Sequence, residues 1–114
     1  MNAEIINTNE EKEEAESDLY IHTFKKPITY NGQEYKELAF DFGKLTGNDV
    51  ISIEGEQRAL GLFTPLPRFD SDYLTRMATK ACESPIGHDI FETMPFKDFV
   101  KIKNAARRFL SDAE

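Results

Sequence analysis

KPITYNGQEYKELAFDFGKLTGND, residues 26–49, decides the fold. Asn31-Gly32 stands between two runs rich in β-branched and aromatic residues, the strongest short-range signal for a two-residue type I′ hairpin. Such a turn needs positive φ at both central positions. Gly32 takes it without steric cost, and Asn31 tolerates it better than most residues. Downstream, Thr46 and Asp49 are spaced as a capping box, with Asp in place of the usual Glu or Gln, so a helix follows directly on the second strand.

Working outward, the hairpin covers 19–42, with one strand from Leu19 to Tyr30 and the other from Gln33 to Phe42. Pro27 has no ladder donor, so the first strand is either an edge or bulged there. With Asn31-Gly32 as the turn, Ile28 opposes Tyr35, Lys26 opposes Glu37, Phe24 opposes Ala39 and His22 opposes Asp41. In that register one face carries Ile21, Leu38, Phe40 and Phe42, and the other carries Phe24, Ile28, Tyr30 and Tyr35. A solvated antiparallel pair is apolar on one side only, and a lone two-stranded hairpin is marginal in water. Apolar groups on both faces therefore predict that helices cover one side and another chain the other.

Helices are expected over about 46–60, 70–83 and 95–110, with a short fourth turn from His88 to Thr93. The first has Val50, Ile53 and Leu60 on a loose stripe and is weakened by Gly55 by about 1 kcal/mol relative to Ala. Gly61 to Arg68 holds two prolines with Leu62, Phe63 and Leu66, a loop with apolar surface to bury or to offer. The second helix starts at Asp70 or Ser71, with Leu74, Met77, Ala78 and Ala81 at helical spacing and Phe69–Leu74 placed as a hydrophobic staple. The last begins near Pro95, a favoured first-turn residue, and carries Phe99, Ile102, Ala106 and Phe109 as a stripe. The fold class is α+β: an N-terminal β-hairpin followed by three to four helices in a single small domain, 19–114.

Charge divides the chain unevenly. Residues 1–18 hold seven acidic groups and one Lys, a net of −6 out of −7 for the whole chain. So charged and apolar-poor a segment cannot offset the entropy of ordering, and 1–18 reads as a disordered acidic tail. The remainder is close to neutral, which argues against nucleic acid as a partner. The one basic cluster, Lys97, Lys101, Lys103, Arg107 and Arg108, also suits the negative end of a helix dipole. A single cysteine, Cys82, forms no internal disulfide and points to a reducing compartment. No apolar run reaches the roughly 18 residues of a membrane span, and no signal-peptide pattern is present, so no membrane is expected and the location is cytoplasmic.

No catalytic constellation stands out. Cys82, His88 and Asp89 are the one thiol–imidazole–carboxylate set close in sequence, but Cys82 falls beside the apolar stripe of its helix, as a small core residue does. Two histidines and one cysteine without CxxC or HxxxH spacing make no standard zinc site. GKLTG, 43–47, lacks the order of a phosphate loop. The expectation is a protein that is not an enzyme, with no cofactor and no metal.

The order of these residues resembles one family. Lys26-Pro27-Ile28-Thr29-Tyr30-Asn31-Gly32-Gln33-Glu34-Tyr35, then Leu38-Ala39-Phe40-Asp41-Phe42, then Leu45-Thr46-Gly47-Asn48-Asp49 look like the opening of the small tail assembly chaperones of long-tailed bacteriophages and prophages. Tyr73-Leu74 with Ala78-Thr79-Lys80-Ala81, and Asp98-Phe99-Val100-Lys101-Ile102 with Phe109-Leu110, look like its middle and final helices. The acidic tail is longer and more charged than that pattern requires, and the Thr64–Pro67 loop has no counterpart in it. The resemblance implies a chaperone that binds the aggregation-prone tape measure protein in the host bacterial cytoplasm, with the tail tube protein as a second candidate partner. It also implies a longer product made by frameshifting, while the hairpin's two apolar faces carry the expectation of a homo-oligomer. The residues first in line for client binding or self-association are Phe24, Ile28, Tyr30, Tyr35, Phe63 and Leu66, each of which also suits a core position in a small domain. Two rivals stand beside this reading: a minor structural component retained in the tail, and a small acidic regulator or inhibitor acting through residues 4–18.

Overall fold

A computed structural model describes residues 18–114, so the acidic tail lies outside the described residues except for Asp18. Strands β1 (Leu19–Tyr30) and β2 (Gln33–Asp41) form an antiparallel hairpin. Its turn is the expected one, with Asn31 at φ 50° and Gly32 at φ 77°. A 3-10 turn, Phe42–Lys44, leads into helix α1 (Gly47–Ala59), and a second, Pro67–Phe69, leads into α2 (Ser71–Ala81). A one-turn α3 (Ile90–Thr93) and the long α4 (Phe96–Ala113) complete an α+β domain. The Asp49 carboxylate accepts from the Thr46 backbone N–H at 2.8 Å, which starts α1 as the capping spacing requires.

The register corrects the two-faced hairpin. Near the turn Ile28 faces Tyr35, but beyond Pro27 the ladder resumes with Thr23 opposite Glu37, His22 opposite Leu38 and Tyr20 opposite Phe40. Phe24 to Pro27 thus face Lys36 alone, an excess of three residues on β1, because proline gives the ladder no donor there. An odd excess moves every outer residue of β1 to the opposite face. Tyr20, His22 and Phe24 consequently share the inner side with Leu38 and Phe40, while Ile21 turns outward and is 53% exposed. Most of the hairpin is therefore apolar on one face, as a half-covered sheet requires.

That inner face packs on the helices. The core joins Phe24, Leu38, Phe40 and Phe42 to Leu74, Met77, Ala78 and Ala81 of α2 and to Ile102 and Ala106 of α4. Rings run through it in series: Phe40 lies 6.3 Å from Phe42, and Phe42 lies 5.7 Å from Phe109. The chain after α2 covers part of the free edge of β2, where Phe40 bridges Cys82 and the Glu83 N–H donates to Ala39 O at 2.8 Å. His22 is buried with partners other than the expected Asp41. Its Nε2 lies 2.7 Å from Asp98 Oδ1 on α4, and the Tyr20 hydroxyl lies 2.8 Å from its Nδ1. A carboxylate only accepts, so Nε2 carries the hydrogen and ties hairpin to helix.

Helix α1 departs from its expected stripe. Ile53 and Gln57 are its buried residues, while Val50 and Leu60 are 43% and 62% exposed. Polar groups hold it instead: Glu56 accepts from Arg76 at 3.0 Å and Lys80 at 2.8 Å, both on α2. Helix α4 also runs past residue 110, to Ala113.

Candidate functional site

Six nominated residues fall into three environments. Phe24 is 4% exposed and belongs to the core, because the three-residue excess on β1 turns it inward. Ile28, Tyr30 and Tyr35 are half-buried against the core edge at the hairpin tip. Tyr30 is committed within the chain: its hydroxyl donates to Asp89 Oδ1 at 2.5 Å and accepts from the Gly87 N–H at 3.1 Å. Phe63 and Leu66 lie on the surface, 88% and 58% exposed.

Those last two mark the most apolar exposed segment. Leu60, Leu62, Phe63, Leu66 and Phe69 are all between 42% and 88% exposed within ten consecutive residues, Leu60 to Phe69. Local chemistry explains how the chain gets there. Gly61, at φ 74°, ends α1 as a left-handed residue. Its N–H donates to Arg58 O at 3.0 Å and that of Leu62 to Gln57 O at 2.8 Å, the paired bonds of a Schellman motif. The chain is thereby turned off the helix axis, with Leu62 and Phe63 just past the cap.

The loop is tied down along its length. Asp70 caps α2 by accepting from the Tyr73 N–H at 2.8 Å. The same carboxylate oxygen accepts from Gln57 of α1 at 3.2 Å and from the Thr64 hydroxyl at 3.3 Å. Farther along, the Arg107 Nε–H donates to Arg68 O at 2.9 Å, Arg68 pairs with Glu114 at 3.2 Å, and its guanidinium sits 5.2 Å from the Phe69 ring centroid. Phe69 is 63% exposed under that guanidinium. Between loop and α1 runs a shallow groove of about 260 Å³, lined by Leu62, Phe63 and Pro67 on one side and Glu54 and Arg58 on the other. Rigid presentation of apolar side chains beside a groove lowers the ordering cost of binding.

Asp70→Ala is therefore expected to lower stability by about 1–2 kcal/mol, a fall in melting temperature of about 5–10 °C. It should also speed amide exchange at Thr64 to Phe69. Unchanged exchange there, measured by mass spectrometry, would show that the carboxylate does not hold the loop.

The other polar centre links α1, α2 and the turn that precedes α3. Asp72 accepts from Gln57 at 3.0 Å and Arg76 at 2.8 Å, and its second oxygen lies 4.0 Å from His88 Nε2. Thr75 spends its hydroxyl hydrogen on Ser71 O at 2.8 Å, so His88 Nε2, 2.7 Å away, carries the hydrogen between them. Burial, with Arg76 adding to it, pushes the His88 imidazole below its ordinary 6.5 despite Asp72, Glu56 and Glu92 nearby. Burial alone would raise Asp72 and Glu56, but the hydrogen bonds from Arg76, with Gln57 on Asp72 and Lys80 on Glu56, outweigh it and hold both low.

These shifts act in one direction on stability. For each group the unfolded chain binds protons more readily than the folded one, so stability falls as pH falls. The loss begins below 6.5 through His88 and deepens below the ordinary carboxylate values of 4.5 and 3.8 through Glu56 and Asp72. A melting-temperature profile from about pH 8 to about pH 3 should show two steps, and His88→Gln should remove the upper one alone. Persistence of the upper step in that variant would place it on another group.

The thiol–imidazole–carboxylate set is not assembled. Cys82 is 8% exposed with its thiol pushed up by burial, His88 faces Thr75, and Asp89 holds Tyr30. Among the described residues no group of three His, Cys, Asp or Glu side chains is placed to hold a metal ion. Among them also, no helix is long and apolar enough to cross a membrane. Reading the sequence for helical stripes missed Leu60 and Phe69 as surface residues. The available signal was Gly61, which ends the stripe that Leu60 would otherwise continue. Comparisons with protein-family models, with curated proteins and with solved structures give no match.

Proposed function

We propose that this protein is a non-enzymatic tail assembly chaperone that uses the Leu60–Phe69 loop and the groove beside it to hold an apolar helical stretch of a tape measure protein. The observation that carries the reading is Phe63, 88% exposed on a loop pinned by Asp70 and Arg107. Exposed apolar side chains grouped on one rigid segment mark interaction surfaces, and an amphipathic helix laid in a groove is a common mode of peptide capture. The sequence order from Lys26 to Asp49 supports the family side of the proposal. The buried Cys82 and the separate engagements of His88 and Asp89 support the absence of catalysis. Self-association in the host cytoplasm completes the reading, through the outward hairpin face where Leu19 and Ile21 stand 43% and 53% exposed.

The test is co-expression with a candidate tape measure protein from the same genome, followed by affinity purification and mass spectrometry of finished particles. Co-purification in extracts, with absence from the particles, is the expected result. Retention in the particles would favour a structural tail component. Loss of activity on deleting residues 1–18, with no helical client found, would favour an acidic regulator.

A further inference from the structure

The groove between α1 and the Leu60–Phe69 loop holds polar groups that the folded chain does not use. Its α1 side presents Glu54 and Arg58, both exposed. Among the described residues neither has an opposite charge within 4.0 Å. Four residues apart on one helix, they share a face and stand about 6 Å from each other along its axis. Tyr73 of α2 lines the same groove and is 4% exposed. Its backbone N–H is taken by Asp70, but among the described residues its hydroxyl has no hydrogen-bond partner. Among them no fully buried side-chain oxygen lacks a partner, so this hydroxyl keeps its opening to the groove. Burial, and then the charges of Glu54 and Glu114, push its pKa up, which keeps the hydroxyl neutral and sets it within the field of Glu54.

An occupant that answers all of these groups is amphipathic. Apolar side chains meet Leu62, Phe63 and Pro67, a cation meets Glu54, and a carboxylate meets Arg58. An ammonium or guanidinium only donates, and both the Glu54 carboxylate and the Tyr73 hydroxyl oxygen accept. A helix supplies two such charges at the right separation, because residues four apart lie on one face about 6 Å apart. Opposed helix dipoles favour an antiparallel lie beside α1. In that direction the carboxylate comes first and the cation four residues later. That order is also the one that stabilises an isolated helix.

We propose that the groove selects its client by charge order: an apolar helical stripe flanked by Glu-x-x-x-Lys, antiparallel to α1, with the carboxylate on Arg58 and the cation on Glu54 and the Tyr73 hydroxyl. The proposal rests on the reading of this groove as a helix-holding site. Each exposed pair is weak, but two matched pairs set against two clashing ones give about a five- to tenfold preference at low salt. Screening over a Debye length of about 8 Å at physiological ionic strength makes the preference salt-sensitive.

The experiment titrates the full chain at low salt with two synthetic helical peptides of identical composition and identical Leu stripe. One carries Glu-x-x-x-Lys beside the stripe and the other Lys-x-x-x-Glu. The first should bind about five- to tenfold more tightly, and Glu54→Arg with Arg58→Glu should reverse the preference. Tyr73→Phe should weaken the first peptide about threefold and leave the second unchanged. Phe63→Ser with Leu66→Ser should abolish binding of both. Equal affinity for the two peptides, or a preference for the second, with both lost in that last variant, would overturn selection by charge order and leave the helix-holding reading standing. Failure of either peptide to bind the unaltered chain would overturn both.

Discussion

Phe40→Ala is expected to lower the unfolding free energy by about 3–5 kcal/mol, with a fall in melting temperature of more than about 12 °C. Phe40 is fully buried and occupies the point where hairpin and helices meet. Its ring lies 6.3 Å from both Tyr20 and Phe42, and its backbone bridges Cys82 after α2. Truncation removes the ring's burial and opens a cavity bounded by strands and helices that cannot both move in to fill it. Ile21→Ala is the companion measurement. In the register without an excess on β1, Ile21 would share a face with Phe40 and its loss would cost several kcal/mol; as an outward residue, 53% exposed, its loss should cost less than about 1 kcal/mol. Urea denaturation followed by circular dichroism separates the two, and comparable costs would contradict the register.

Much of this fold is legible in particular residues. Asn31-Gly32 set the turn, Thr46 and Asp49 started α1, and the stripe Leu74, Met77, Ala78, Ala81 placed the buried face of α2. All of these are local signals, fixed by turn geometry or helical period. The size of the irregularity at Pro27 was not local. Proline announces a break in the ladder, but how many residues are left over depends on what the outer strand packs against, here Asp98 of α4, which holds His22. A three-residue excess reverses facing where a two-residue one would not. That parity moved Phe24 from the nominated surface into the core.

The surface residues divide in the same way. Phe63 and Leu66 follow a helix-ending Gly61 and flank prolines, so no regular element can bury them in sequence order, and the loop's exposure follows from that. Tyr30 and Tyr35 are aromatic groups near a hairpin tip, where sequence does not tell a surface anchor from an internal tie. The tie of Tyr30 to Gly87 and Asp89 needs contacts 57 and 59 residues away. Likewise Asp70 reads in the sequence as a helix cap alone. Its hold on Gln57 and Thr64 is a tertiary fact.

The second large effect concerns binding. Phe63→Ser with Leu66→Ser should leave the domain's stability within about 0.5 kcal/mol, because both side chains are exposed and neither lies in the buried core. The same change removes two exposed apolar side chains of the loop, Phe63, which lines the groove, and Leu66, next to the lining residue Pro67. Central anchors of this kind are each worth about 2 kcal/mol or more, so client affinity should fall about a thousandfold. Substitution at Tyr35, on the hairpin tip, should leave client affinity unchanged, since it lies outside the Leu60–Phe69 segment.

The most direct measurement is a titration of the full chain, unaltered and with Phe63→Ser and Leu66→Ser, against overlapping peptides that tile a tape measure protein from the same genome, the proposed client. One or a few apolar helical peptides should bind the unaltered chain and lose about three orders of magnitude in affinity with the double variant. Equal affinity for both chains, with melting temperatures matched, would contradict it.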